Sequence, residues 1–233
     1  MDIYYLILVL PAILLSLWAS SRVNSTFKKY SGVFSSRSLT GAMAAEAVLR
    51  ANGVYGVRIE RVSGKLTDHY DPRGNVIRLS DSVYASTSVA AIGVACHEAG
   101  HAVQYATNYA PIKLRAAIIP ITNVGSKLAM PLILLGILFS AYSQSAIQIA
   151  YIGVILFSAT VLFQLFTLPT EFNASRRAMN AMESNALLTQ SELPGARKVL
   201  SAAAMTYVAA LAVSITQLLR LFLIVSSHSR RRD

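Results

Sequence analysis

Charged residues are scarce in this sequence of 233 residues, at 14% of the composition. A soluble globular domain usually carries about a quarter charged residues. Hydrophobic residues reach 54%, and the mean hydropathy is +0.49. This balance excludes an ordinary soluble domain and predicts a protein whose main partner is the lipid bilayer.

Acidic residues are especially few, with 11 Asp and Glu against 21 Lys and Arg, so the net charge is +10. The basic residues cluster near the apolar segments, which suits anionic lipid and the positive-inside rule. The sequence has no aromatic–basic pattern of the kind that binds RNA, so we expect no nucleic-acid partner.

Cysteine is nearly absent, since Cys96 is the only one. A single cysteine excludes an intramolecular disulfide, and nothing in the sequence requires an oxidising compartment. Cys96 ends an apolar helical run that suits the interior of a domain, so we expect a buried structural thiol.

Four apolar segments are candidates for crossing a bilayer. Gln217 and Arg220 interrupt the last of them, so three to four transmembrane helices are predicted. No positive charge precedes the first one, which favours an uncleaved anchor over a signal peptide cleaved near Ala19. The uncharged link Ser143-Gln144-Ser145 joins the middle two into a helical hairpin. The segments are residues 3–20, 126–142, 146–168 and 205–225.

The more polar part of the chain predicts a small α+β domain. Thr40 to Asn52 and Ser88 to Thr107 have the caps and apolar content of helices. Val57 to Val62 and Asn75 to Ser80 alternate apolar and polar residues, as half-buried strands do. We therefore expect a mainly helical α+β membrane protein with a short β-sheet.

The expected organisation divides the chain into six parts. Pro169 ends the third apolar segment, and Thr170 then caps a polar helix. The parts are a transmembrane anchor (1–20), the first part of a catalytic domain (21–125), a transmembrane hairpin (126–168), a polar helix and loop (169–204), a fourth transmembrane helix (205–226) and a basic tail (227–233).

The pattern most specific for chemistry is His97-Glu98-Ala99-Gly100-His101. Residues four apart share one face of a helix, so the two imidazoles can hold one metal ion. Glu98 can take a proton from a water that zinc polarises, which makes a nucleophile at neutral pH. The pattern indicates a zinc hydrolase, most often a peptidase. The alternative is a pair of hydrogen-bonded core histidines without a metal.

A zinc hydrolase needs a third protein ligand and an open position for water. Glu171 stands out because it follows the membrane hairpin, which returns the chain to the side that His101 left. A carboxylate at the start of a helix can instead be a capping residue. Both interpretations of Glu171 stay open on spacing alone. The other candidates are Asp68, His69, Asp71 and Glu183.

Three separated motifs, HEAGHAVQYA, DHYDP with IRLS, and LPTEFNASRRAM, together resemble the YugP-type membrane zinc metallopeptidases of bacteria. That family is more distantly similar to HtpX and the CAAX prenyl proteases. The resemblance covers most of the chain. It implies one zinc ion held by His97, His101 and Glu171, with Glu98 as the general base.

One position departs from the pattern of the distant relatives, in which an aspartate often follows the ligand glutamate by four residues. Ser175 stands at that position here. A supporting carboxylate is therefore absent, and we expect support for the ligands from elsewhere, with Asn173 as a candidate.

Metallopeptidases of this broad gluzincin type bind substrate as an added strand at a sheet edge beside the zinc. Asn75–Ser80 is the matching segment, and a plain structural strand is the alternative. His69 and Tyr70 can donate to the oxyanion or stabilise the turn with Asp71, and we favour the turn. The candidate substrate-binding residues are Asn75, Ile77, Arg78 and Leu79.

Two arginines, Arg176 and Arg177, follow the third-ligand position. They can bind a substrate carboxylate or lipid phosphates. We favour an arrangement in which one pairs with Glu171 or Glu98 near the metal and the other faces lipid headgroups.

Basic residues follow the first apolar segment and precede the second, which argues for a metal site on the cytoplasmic side of the plasma membrane. A fourth span would send Arg230 to Arg232 outside, against the same rule, so the orientation is only partly determined. The flanking basic residues are Arg22, Lys28, Lys29, Arg37, Lys113, Arg115 and Lys127.

We therefore expect an integral membrane zinc-dependent endopeptidase that cleaves membrane-associated or unfolded polypeptides. Two alternatives stay open: a non-catalytic membrane scaffold with structural zinc, and a zinc hydrolase of a non-peptide amide or ester. The intact Glu98 counts against the scaffold, because a structural zinc site needs no general base. The sequence predicts neither the cleavage preference nor the oligomeric state.

Overall fold

The computed structural model describes residues 2–230 and shows a mainly helical chain with one small sheet. A π-helical turn (Tyr5–Val9) precedes the first helix, and a 3-10 turn (Gln144–Ala146) precedes the fifth. The last residues of the predicted basic tail, 231–233, lie outside the described residues. The helices are α1 (Leu10–Ser31), α2 (Gly41–Ala51), α3 (Val89–Ala106), α4 (Ala110–Phe139), α5 (Ile147–Ser184) and α6 (Leu193–Arg230), and the strands are β1 (Arg58–Val62), β2 (His69–Asp71) and β3 (Val76–Ser80).

Within residues 2–230, four helices are long and apolar enough to cross a membrane. Large apolar side chains stay exposed along them, as lipid-facing surfaces require. This confirms the predicted α+β membrane protein, and the fourth apolar segment qualifies as a span with the other three. The spanning candidates are Tyr5–Ser31, Ala110–Phe139, Ile147–Ser184 and Leu193–Ser229.

Helix α5 continues without a break through Pro169. The prediction that Pro169 ends one helix and Thr170 caps another is therefore wrong. Proline is tolerated inside membrane helices where neighbouring hydroxyl groups and local adjustments satisfy the backbone. Nearby, the Thr167 hydroxyl donates to the Phe163 carbonyl oxygen at 2.7 Å.

Two other helices are longer than the apolar segments that predicted them. Helix α4 begins at Ala110 rather than near residue 126, and it contains Pro120 and Pro131. Helix α6 begins at Leu193 and runs through the predicted boundary near residue 205. The apolar segments are thus parts of longer helices that extend into polar sequence.

The chain divides into two compact units. The sheet, α2 and α3 all belong to the second unit, together with the metal motif. The first unit comprises Met1–Trp18, Leu114–Leu168 and Tyr207–Asp233, and the second comprises Ala19–Lys113 and Pro169–Thr206.

Small residues bring α4 and α5 together in the first unit. A Cβ atom on Gly153 would lie 2.7 Å from the Ala129 carbonyl oxygen, which shows how closely the two backbones approach. Close packing of this kind is typical of membrane helices, whose association relies on van der Waals contact. The contact makes α4 and α5 packed neighbours within this unit.

The charge of Arg220, which interrupts the fourth apolar segment, is neutralised within the first unit. Its Nη2 atom lies 2.6 Å from Oδ2 of Asp2, and its Nε atom also donates to that carboxylate. Charged residues inside membrane segments usually pair with one another in this way.

The three-stranded sheet has the order β1-β3-β2, with β3 parallel to β1 and antiparallel to β2. Strand β3 is therefore central, and its Ile77 and Leu79 side chains are fully buried. Asp68 also accepts a hydrogen bond from the Ser80 amide at 2.7 Å. The prediction that Asn75–Ser80 offers a free edge to substrate is wrong, because both neighbouring strands pair with it. The edge strands of this sheet are β1 and β2, and the sequence did not predict β2.

Helix α3 lies inside the core of the second unit. The Ser88 hydroxyl caps it by accepting from the Ala91 amide at 3.2 Å, as the sequence predicted. Cys96 is fully buried, and burial raises the pKa of its thiol, which confirms the predicted structural thiol. Small side chains fill the rest of the helix surface, including Ala90, Ala95 and Ala99.

Gly100 lets α3 and α5 come into close contact. A Cβ atom at this position would lie 2.8 Å from the Ala174 carbonyl oxygen, closer than real Cβ contacts. Gly93 on the same helix differs, because a Cβ atom there would lie 3.6 Å from Ala196 Cβ, an ordinary distance. Gly100 is therefore required by a backbone contact, whereas Gly93 is not.

We predict that Gly100→Ala destabilises the protein by about 1–3 kcal/mol, because the added methyl group pushes α5 away from α3. Gly93→Ala is the matched control, and it should be neutral or stabilising since alanine favours a helix. The measurement is the thermal unfolding midpoint of the detergent-solubilised protein. Equal midpoints for the two variants would contradict the packing argument.

Candidate metal centre

Three side chains that can bind a metal converge in the second unit: His97, His101 and Glu171. Glu171 Oε2 lies 3.1 Å from His97 Nε2 and 3.4 Å from His101 Nε2. Glu171 is 2% exposed and His101 is 8% exposed. The three ligand atoms are therefore gathered in a nearly buried cluster.

The packing of α3 on α5 explains how this cluster forms. His97 and His101 are one turn apart on α3, so their rings share a face and meet edge to face. Glu171 lies on α5 within one turn of Ala174, where Gly100 permits close approach. Because α5 continues through Pro169, Glu171 is inside a helix rather than at its start. The alternative role of Glu171 as a helix cap is therefore excluded.

The other candidates for the third ligand lie outside this cluster. Asp68 accepts from the amide and hydroxyl of Ser80, and His69 Nδ1 bonds the Thr67 carbonyl oxygen at 2.8 Å. Asp71 forms an ion pair with Arg78. Within residues 2–230, neither these groups nor Glu183 belongs to a metal-binding cluster.

The cluster fits a zinc ion in both chemistry and spacing. Two imidazole nitrogens and one carboxylate oxygen are a known ligand set of catalytic zinc sites. Zinc lies about 2.0–2.1 Å from such atoms, so two ligands of a tetrahedral site are about 3.3 Å apart. The observed distances of 3.1 and 3.4 Å agree with that separation.

A chain of hydrogen bonds holds the ring of His101. Its Nδ1 lies 3.0 Å from Gln104 Oε1, and Gln104 Nε2 donates to the Thr170 carbonyl oxygen and to Asn173 Oδ1. Arg177 Nε donates to the same Asn173 oxygen at 2.8 Å. An arginine can only donate, which makes Asn173 an acceptor and directs the Gln104 oxygen toward the ring. His101 then carries its proton on Nδ1, and Nε2 keeps a lone pair for a metal.

The ring of His97 is held by Ser175, whose Oγ lies 3.1 Å from Nδ1. The expectation that support must come from elsewhere is therefore corrected, since a hydroxyl replaces the missing carboxylate. Asn173 acts through Gln104 rather than on a ligand directly. Sequence reasoning missed Gln104, although it follows His101 by three residues and so shares its helical face.

Glu98 is buried, with 8% of its surface exposed. Burial acts to lower the pKa of His101, but the hydrogen bond and charge of Glu171, the charge of Glu98 and the Gln104 contact outweigh it, so this pKa is raised. The Glu98 carboxylate is therefore within electrostatic reach of the cluster.

Strand β2 lies beside the metal-binding face of α3. Tyr105 follows His101 by four residues, and its ring centroid is 5.6 Å from that of Tyr70 on β2. The Tyr70 hydroxyl donates to Asn75 Oδ1, and Asp71 accepts from turn amides. These contacts support the turn-stabilising interpretation of this segment over an oxyanion role.

The two arginines after the third-ligand position have different surroundings. Arg177 is half-buried and bonds Asn173 and Thr107. Arg176 is exposed and faces a groove between α5 and α6.

Comparison with known proteins agrees with this geometry. A family model described as "Putative neutral zinc metallopeptidase" matches residues 5–226. The "Putative membrane protease YugP" of Bacillus subtilis (strain 168) is 47% identical over 220 residues, which cover 94% of this chain and 96% of that protein. No solved structure matches the chain with significance.

We predict that Glu171→Ala removes zinc from the purified protein, because two histidines alone leave the ion without its carboxylate ligand. Glu183→Ala is the matched control, and it should retain zinc near one equivalent. Metal analysis of both variants after purification in detergent is the measurement. Full zinc content in Glu171→Ala would show that another residue completes the site.

We also predict that Gln104→Leu weakens zinc binding by about 10- to 100-fold, because His101 loses the acceptor for its Nδ1 proton. Gln104→Glu keeps an acceptor oxygen and should bind zinc more tightly than the leucine variant. Competition against a chelating dye measures the affinities, with exposed Gln190→Leu as the control. Wild-type affinity in Gln104→Leu would rule out the hydrogen-bond chain as support for the ligand.

Proposed function

The chain belongs to the neutral zinc metallopeptidase family, and from this premise we propose that it is an integral membrane endopeptidase. Its substrates are membrane-associated or unfolded polypeptides, and Glu98 is the general base. The observation that carries the proposal is the cluster of His97, His101 and Glu171 with a buried carboxylate one residue after the first histidine.

The number of ligands favours a catalytic centre over a structural one. Structural zinc sites are usually closed by four protein ligands, whereas catalytic sites have three and keep one position open. Among the described residues, the metal-binding group has three members. A scaffold with structural zinc would also have no use for Glu98.

The proposed mechanism assigns a separate task to each group. When bound, zinc would act as a Lewis acid that polarises water and the substrate carbonyl group. Glu98 takes a proton from the attacking water and delivers it to the leaving amide nitrogen as the peptide bond breaks. Ser175 and Gln104 keep the two imidazoles oriented with Nε2 toward the ion.

We propose that the substrate backbone lies along the outer edge of β2. An edge strand presents unpaired N–H and C=O groups that an extended peptide can join. β2 pairs with β3 on one side, and its Tyr70 packs on Tyr105 next to the metal-binding face. This edge replaces the one first expected at Asn75–Ser80.

We further propose that the protein resides in the plasma membrane with its metal site facing the cytoplasm. The support is the positive-inside rule, because basic residues lie at the ends of α1 and α4 that join the second unit. A location close to the bilayer gives membrane-bound polypeptides direct access. These residues are Arg22, Lys28, Lys29 and Lys113.

Glu98→Gln tests the catalytic assignment. The amide cannot accept the proton, so casein hydrolysis should fall by about 100- to 10,000-fold. Zinc content should stay near one equivalent, which separates lost chemistry from a lost metal. Glu46→Gln, on the exposed side of α2, is the control and should keep full activity. Undiminished cleavage by Glu98→Gln would falsify the assignment.

A further inference from the structure

A groove of about 570 Å³ lies between α5 and α6 in the second unit. This size is within the range of pockets that bind ligands. Its floor is largely apolar, and two arginines stand at its rim. We call it the arginine groove, and the residues that matter most are Phe172, Ser175, Arg176, Met179, Arg197 and Leu200.

The arginine groove adjoins the metal centre. Ser175 lines the groove, and its hydroxyl oxygen lies 3.1 Å from Nδ1 of His97. Phe172 also lines it and directly follows Glu171 in α5. Two residues of the groove lining are thus a direct neighbour of a ligand in sequence or a hydrogen-bond partner of one.

The charges at the rim have no acidic partner among residues 2–230. Arg176 and Arg197 are exposed, and neither forms an ion pair within residues 2–230. A guanidinium group matches a carboxylate by two parallel hydrogen bonds. Four arginines of the second unit pair with a carboxylate of the protein itself, which leaves them less available to a ligand: Arg50, Arg58, Arg61 and Arg78.

We propose that the arginine groove selects substrates that carry an acidic residue beside an apolar one. The carboxylate of the substrate is held by Arg176 and Arg197, and the apolar side chain packs on Met179 and Leu200. This inference rests on the proposed function and adds a substrate class to it. A peptide is favoured over a lipid phosphate because the groove shares Ser175 with the metal centre.

Binding to the Glu98→Gln protein tests the groove without requiring cleavage. The probes are two fluorescein-labelled peptides, one alternating leucine with glutamate and its twin alternating leucine with glutamine. In uncharged detergent, fluorescence anisotropy should show about tenfold tighter binding of the glutamate peptide, the effect of one charge-assisted hydrogen bond. Adding Arg176→Gln and Arg197→Gln should abolish the preference.

Two further variants control for folding and for net charge. The pair Arg50→Gln and Lys198→Gln removes the same charge outside the groove and should leave the preference intact. The pair Arg176→Glu and Arg197→Glu should reverse the preference toward a leucine–lysine peptide, a gain that a misfolded protein cannot show.

Three results would overturn the proposal. The first is equal binding of the glutamate and glutamine peptides by the protein with intact arginines. The second is an unchanged preference after both arginines are replaced by glutamine. The third is binding to phosphatidylglycerol nanodiscs that depends on these arginines, together with peptide binding that does not depend on the peptide charge. Loss of casein hydrolysis is measured separately, so failure of the endopeptidase assignment is distinguishable from failure of the groove.

Discussion

The close contact between α3 and α5 at Gly100 and Ala174 is the constraint on which the metal centre depends. A zinc site of two histidines and one glutamate needs ligand atoms about 3.3 Å apart. The third ligand, Glu171, is far along the chain from His101 and lies on a different helix. A side chain at position 100 would keep the two backbones apart. The same contact places Ser175 within hydrogen-bond distance of His97. It therefore positions both the ligand His97 and the hydroxyl group that supports it.

Short-range patterns account for the parts of the fold that the sequence predicted well. Helices α2 and α3 and strand β1 follow from hydroxyl caps, a glycine stop at Gly53 and alternating side chains, all of which act within a few residues. The pairing of His97 with His101 is equally local, because it needs only the helical repeat. Glu171 depends on a contact between distant parts of the chain. Its position after the membrane hairpin made it the leading third ligand among five candidates, and the resemblance to a family strengthened that prediction over the role of a helix cap.

The features that sequence reasoning missed depend on surroundings rather than on local preference. A proline normally ends a helix, but α5 continues through Pro169. Packing and the membrane surroundings favour continuous backbone hydrogen bonding there. The central place of β3 depends on the short strand β2, whose three residues carry little pattern. Gln104 acquires its role only from Asn173 and Arg177, which belong to another helix. The one sequence signal for the role of Gln104 was that a polar residue falls on the buried face of a helix.

The central claim is that His97, His101 and Glu171 hold a single zinc ion with one position left open. X-ray absorption spectroscopy at the zinc edge of the purified protein tests it most directly. The account predicts a four-coordinate shell of nitrogen and oxygen at about 2.0–2.1 Å, with the outer scattering of two imidazole rings and no sulfur. A shell with one imidazole, with three, or with a zinc–sulfur distance of about 2.3 Å would contradict it.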